Sequence, residues 1–285
     1  MSKPVITKEC VKPLFESKFI KVFDLQYKEG AHYFDATRRS IDDITAIKSD
    51  EEFRTMLPDA VTCVVILTGI GDEPRLLLSQ EYRYPAGQFL LSPPAGLIDP
   101  EDRNCVKASV QEEVQASVQE EVQASVQEEV QASVQEEVQA SVREEVQVEG
   151  CSGTQAKITE QAEKTEQAEK SEQALFLAAT REIKEETGLD INEGDRLFVI
   201  NPHLFSTPGM TDESNALVGA VIDVKDETAM NQDGAVGSEL FDGFVMLTKD
   251  EARRILKEGR DSDGKFYSVY TWAALMYFVT DMWME

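Results

Sequence analysis

Positive charge is scarce in this sequence. Its 285 residues hold 28 Lys and Arg against 54 Asp and Glu, a formal net charge of −26. Polyphosphate backbones and anionic headgroups are recruited by basic patches, so the balance argues against a nucleic-acid or membrane-surface partner. A phosphate-bearing ligand would need a cation beside it. Paired cysteines are missing as well: Cys10, Cys63, Cys105 and Cys151 lie far apart with no C-x-x-C, which suggests neither a zinc site nor a disulfide framework but a reducing compartment. Long apolar runs are absent too. Val64 to Leu67 and Ala273 to Val279 fall far short of the roughly 18 to 20 residues that span a bilayer, and the opening MSKPVITKEC has no apolar core. A cytoplasmic protein is expected. Histidine is limited to His32 and His203, each read as a packed or surface residue rather than a catalyst.

What is abundant is repetition. The octad SVQEEVQA runs four times from Ser109, and a fifth copy, SVREEVQV, ends at Val148. TEQAEK then begins at Thr159 and again at Thr165. These periods are too short for a solenoid. Valines every four residues drift 40° per step on a helix, so the stripe winds around the axis and offers no fixed face to a core or a coiled-coil seam. The hexads place Glu160 four before Lys164 and Glu166 four before Lys170, the favourable order for helix ion pairs. The segment reads as a solvated helix or a disordered arm. Functionally it is either a partner-binding arm or a low-complexity insertion without chemistry.

Both flanks look globular, and 41% hydrophobic residues suffice for a core. SKFIKVFDLQY, HYFDATRRS, VTCVVIL and PRLLLSQEYRY read as strands from their β-branched and aromatic content, as do Leu197 to Ile200 and Ala216 to Val224. Two helices close the chain. One is announced by the capping-box spacing of Thr248 and Glu251, and the other runs from about Val269 to Val279. Strands first and helices last, with one helix between, indicate an α+β fold or a mixed-sheet sandwich.

The helix between them carries the chemistry. In ALFLAATREIKEETGLDI, Glu182, Glu185 and Glu186 stand at i, i+3 and i+4, on one helical face. Carboxylates that close repel, and a divalent cation with hard oxygen ligands is the natural way to offset the repulsion. Gly188 supplies the helix stop.

Arg181 to Leu189, REIKEETGL, resembles the end of the Nudix box at every specified position. The opening of the box is found elsewhere, in PPAGLIDPED with Gly96. Joining Asp102 to Ala174 restores the family spacing, with Asp102 (or Glu101, if the cut moves by one) where the family has Glu. Residues 103–173 are then a 71-residue insertion within the box, carrying −10 of the −26 and leaving −16 on the other 214 residues. Loop closure grows only logarithmically, so lengthening a connection of about seven residues this far costs on the order of 2 kcal/mol. The organisation expected is an N-terminal β region over 1–57, which the resemblance also implies as a dimerisation element, a Nudix α/β/α sandwich over 58–102 and 174–285, and the arm over 103–173.

The flanking segments resemble the ADP-ribose pyrophosphatase branch of that superfamily. QEYRYPAGQFLLSPPAGLID looks like its strand and loop, which implies a diphosphate contact for Arg83; FSTPGMTDESNAL looks like its late loop. The resemblance implies Mg²⁺, with Mn²⁺ as a substitute, held by Glu182, Glu185, Glu186 and the Ala95 carbonyl. Arg181 would orient the glutamates. Glu213 would be the general base, with Glu182 and Glu185 as alternatives, since other branches draw the base from the box. Arg38 and Arg39 resemble arginines that face substrate, in a strand region that builds a homodimer in the branch. The activity implied is cleavage of ADP-ribose or a related nucleoside diphosphate sugar into a nucleoside monophosphate and a sugar phosphate. The competing expectation is a non-catalytic Nudix domain that senses a nucleotide or binds a protein.

Overall fold

A computed structural model of the chain describes residues 3–102, 152–234 and 239–284, with the backbone alone between 152 and 167. The octads lie outside the described residues. The chain divides into two compact units, Met1–Asp99 with Leu175–Glu285, and Pro100–Ala174.

The first unit is α+β, as expected from the sequence. Its N-terminal part is an antiparallel sheet of β1 (Val11–Glu16), β2 (Lys21–Lys28) and β3 (Ala31–Thr37), in that order. Alternation along β2 sends Phe23 and Leu25 inward, where they meet Val11 and Ile44 in a small core. β1 buries only Val11, which fits an edge strand that tolerates Pro13. A short helix, α1 (Asp50–Thr55), follows behind a capping box in which Ser49 accepts from the Glu52 N–H and Glu52 answers to the Ser49 N–H.

The larger sheet is mixed. Its path is β10 (Phe241–Leu247), β5 (Arg75–Arg83), β4 (Ala60–Thr68), β9 (Ser214–Asp223), β8 (Arg196–Phe205), with β6 (Gln88–Ser92) on β5 and β7 (Ala95–Leu97) on β4. β4 and β9 run parallel over their whole length, and the other pairs are antiparallel. β4 is buried on both faces. Val61, Cys63, Val65 and Leu67 pack in one core with Leu175, Ala178, Ala179 and Ile183 of the helix α2 (Ser152–Thr187). Val64 and Ile66 pack in the other with Ala252 and Ile255 of α3 (Lys249–Glu258) and Ala274, Leu275 and Phe278 of α4 (Val269–Val279). A period of two thus assigns each strand residue to one of two helical layers.

The helix of the acidic face is longer than its own segment suggests. α2 begins at Ser152 and passes through both hexads. Gln, Glu, Ala and Lys favour helix, and no proline interrupts the run, so nothing stops it before Gly188. There the chain turns into the left-handed region, φ 73°. The Gly188 N–H closes on the Lys184 carbonyl at 2.9 Å. No described helix is long and apolar enough to cross a membrane.

Candidate functional site

The segment that resembles the opening of the box becomes strand β7. Its ladder partners are Thr62 for Ala95, Val61 for Gly96 and Ala60 for Leu97. The Cys63 N–H donates to the Pro94 carbonyl at 2.7 Å and the Ile98 N–H to the Asp59 carbonyl at 2.9 Å. Ala95 and Leu97 therefore occupy the non-hydrogen-bonded positions of the ladder and turn their peptide groups away from β4. Both meet α2. The Ala95 N–H donates to Glu186 Oε1 at 3.3 Å, and Arg181 Nη2 donates to the Leu97 carbonyl at 2.8 Å. Between them, a Cβ on Gly96 would stand 2.0 Å from Glu182 Oε1. Only glycine allows strand and glutamate to share that space.

Ala95, Arg181, Glu182, Glu185 and Glu186 are thus brought together. Glu182 and Glu186 are buried, at 6% and 4% exposure, while the side chain of Glu185 is 34% exposed. Arg181 braces the face: its Nη1 lies 2.6 Å from Glu182 Oε1 and 3.5 Å from Glu185 Oε2, and its Nη2 lies 3.6 Å from Asp99. Burial raises the Glu182 carboxyl to about 7 even against the opposing pull of Arg181. Burial raises Glu186 to about 9, and the charges of Glu81, Glu182 and Glu239 push the same way. Among the described residues no Lys or Arg forms an ion pair with Glu186. Cys63 lies beneath, fully buried, with its thiol pushed up by burial and by both glutamates.

Two desolvated carboxylates held apart from solvent, with hard oxygen donors around them, suit a dication in kind. No group of three or more His, Cys, Asp or Glu converges on a common point among the described residues. Glu182 and Glu186 are the residues that would hold a dication, with the outward-turned Ala95 carbonyl at hand.

The other candidates form two further groups. Arg83 ends β5, 45% exposed, 2.5 Å from Glu81 Oε2 and 3.5 Å from the Ser92 hydroxyl. Glu81, buried and raised by burial, is a residue that motif reading passed over. Its signal was present: in QEYRY Glu81 and Arg83 stand two residues apart, on the same face of the strand, so the arginine at the strand end has the glutamate beside it further in. Arg39 and Glu213 lie in the third group. Arg39 is 9% exposed, 2.8 Å from Asp59, 3.6 Å from Asp212 and 3.9 Å from Asp43. Glu213, 43% exposed, accepts from Arg38 Nε at 3.3 Å. It precedes β9 directly. Since Ala60 of β4 faces Leu97 on one side and Asn215 on the other, Glu213 and the Gly96 strand lie at the same end of the sheet. His32 is bonded to Asp24 at 2.7 Å, and His203 packs beside Phe53 and Phe205 with its basicity lowered by burial.

No protein-family model matches the chain, and no curated protein does. Among solved structures it is similar to one described as an ADP compounds hydrolase, with 16% identity, a TM-score of 0.46 and coverage of 100% of this chain and 95% of that one.

Proposed function

We propose that the chain is a Mg²⁺-dependent pyrophosphohydrolase of the Nudix type that cleaves ADP-ribose or a related nucleoside diphosphate sugar. The observation that carries the reading is the juxtaposition of the buried pair Glu182 and Glu186 with the Ala95–Leu97 strand. Two segments 85 residues apart in sequence, Gly96 and Arg181, meet as the halves of one box would. A bound dication would neutralise diphosphate oxygens and lower the pKa of a coordinated water.

The chain's own residues supply the remainder. Arg181 holds Glu182 and Glu185 in register while its other nitrogen grips the strand. Arg83, half exposed beside Glu81, is placed to pair with a diphosphate oxygen and remains held by Glu81 when no substrate is present. Glu213 accepts the proton of the attacking water as its oxygen bonds to one phosphorus. The bridging P–O bond breaks, and the electron pair leaves with the second phosphate. The products are a nucleoside monophosphate and a sugar phosphate. Arg39, inside its ring of carboxylates, serves in this reading by shaping the late loop.

The test is hydrolysis of ADP-ribose, other ADP-sugars, GDP-mannose and nucleoside triphosphates with and without Mg²⁺, beside Glu186→Gln. AMP and ribose 5-phosphate should appear only with metal, and Glu186→Gln should lower kcat by about 10² to 10³-fold, the scale of losing one group that stabilises transition-state charge. A folded protein that binds these nucleotides and turns over none of them would replace the enzyme with a sensor.

A further inference from the structure

The loop from Ser206 to Ser214, which carries Glu213, is tied down mainly from the N-terminal sheet rather than from the sheet it leads into. The Ala36 N–H donates to the Met210 carbonyl at 2.9 Å and the Tyr33 hydroxyl to the Gly209 carbonyl at 3.1 Å. Asp212 is the knot. Its N–H donates to Asp35 Oδ1 at 3.0 Å, its Oδ2 accepts the Thr45 N–H at 2.8 Å, and the same oxygen faces Arg39 Nε at 3.6 Å. Arg39 also reaches Asp59 at 2.8 Å, and Asp59 in turn accepts from the Ser214 N–H at 2.9 Å and hydroxyl at 3.1 Å. The fastenings thus close on both sides of Glu213.

Asp212 and Glu213 are neighbours with opposite surroundings. The Asp212 side chain is 10% exposed and that of Glu213 is 43% exposed. With Asp212 pinned inward, its neighbour Glu213 is left toward solvent. Arg38, one residue before Arg39 in the same segment, then meets the Glu213 carboxylate. A carboxylate as buried as Asp212 costs free energy unless its bonds repay it. The arrangement here uses those bonds to set where a loop sits.

We propose that Asp212 is a positioning residue, which with Arg39 and Asp35 locks the late loop to the N-terminal sheet and so fixes the place from which Glu213 works. This rests on Glu213 being the general base. In consequence the N-terminal sheet acts on the reaction through the loop that Asp212 fastens to it.

The experiment is a double-mutant cycle on the full chain with Mg²⁺ and ADP-ribose, using Asp212→Ala, Asp212→Asn and Glu213→Gln, with melting followed for each. Asp212→Ala should lower kcat about tenfold or more, since small misplacements of a reacting group are that costly, and leave KM within about twofold. In the Glu213→Gln background the same change should cost nothing further, because a base already lost cannot be misplaced. Asp212→Asn, which keeps an acceptor for the Thr45 N–H, should recover part of the rate. Full activity in a folded Asp212→Ala, or an equal loss in both backgrounds, overturns the proposal. If Asp212→Ala does not fold, Asp212→Asn runs the same cycle with the same criteria. Unchanged kcat in Glu213→Gln alone removes the base assignment and the positioning role with it. A damaged Glu213→Gln with additive Asp212 effects removes the positioning role only.

Discussion

Two pairs of acids in this protein, one mostly and one fully withdrawn from solvent, have opposite company. Asp212 and Asp59 share a guanidinium, Arg39, and receive backbone N–H groups from Thr45 and Ser214. Glu186 receives the Ala95 N–H at 3.3 Å and stands among the like charges of Glu81, Glu182 and Glu239. In the first group opposite charges offset one another and act as fasteners, even though Arg39 Nε and Asp212 Oδ1 make no hydrogen bond. The second is raised to about 9 because burial is barely offset, which leaves a deficit that a cation from solution can fill. A buried carboxylate is therefore informative only together with its partners.

The contrast should be visible in stability. Arg39→Ala leaves the mostly covered Asp59 and Asp212 without their cation and should cost about 2 to 3 kcal/mol, toward the scale for breaking a buried pair on one side. Glu186→Gln removes a carboxyl that burial disfavours, so the metal-free protein should melt no lower than wild type. Thermal melting of both variants without metal checks the pair of outcomes. Equal destabilisation would erase the distinction.

A finer probe is Gly96→Ala. The added methyl would meet Glu182 Oε1, a side-chain end held in place by Arg181. Glu182 can swing aside at modest cost in stability but not without leaving the site. The expected result is a loss of kcat of about tenfold or more with a Tm within about 4 °C of wild type. A large Tm loss with kcat intact would show the glycine serving packing alone.

The smallest effect concerns pH. Glu182 and Glu186 rise from 4.5 to about 7 and about 9 on folding, and Asp35 rises from 3.8 to about 6 through burial and the nearby Asp212. The folded state therefore binds more protons than the unfolded one. The stability these groups contribute is complete below their unfolded values and declines as pH rises through 6, 7 and 9 in turn. The metal-free protein should melt lower at pH 9 than at pH 5. Added Mg²⁺ requires the ionised glutamates, so its stabilising increment should grow over the same range. Melting curves at several pH values, with and without Mg²⁺, measure both slopes.

Much of the fold could be read from the sequence where local signals agree. The capping box at Thr248 and Glu251 and the apolar run Val269 to Val279 mark the last two helices, and VTCVVIL marks the central strand. The misses have physical causes. β1 is an edge strand with a proline and five exposed residues, so it has no inward pattern to read. β7 is three residues long and is a strand only because β4 pairs with it. β10 is interrupted by Gly243, where its register against β5 shifts. At the site, the spacing of Glu182, Glu185 and Glu186 displays a shared face directly, because a helix is local. Asp35, Asp59 and Asp212 come from three separate segments, and no spacing announces that they meet around Arg39.

The downstream end of α2 fixes the rotational phase of the whole helix. Gly188 stops it in the left-handed region, Lys184 caps the Gly188 carbonyl at 3.1 Å and pairs with Asp190, and the Asn231 N–H secures the Thr187 carbonyl at 3.0 Å. A helix clocked from its last turn shows the same glutamate face whatever is added before its first. Changes in the number of octads or hexads would alter the length of the chain and leave Glu182 and Glu186 aimed where they are, so a gene that slips by a repeat unit would not disturb the chemistry encoded after it.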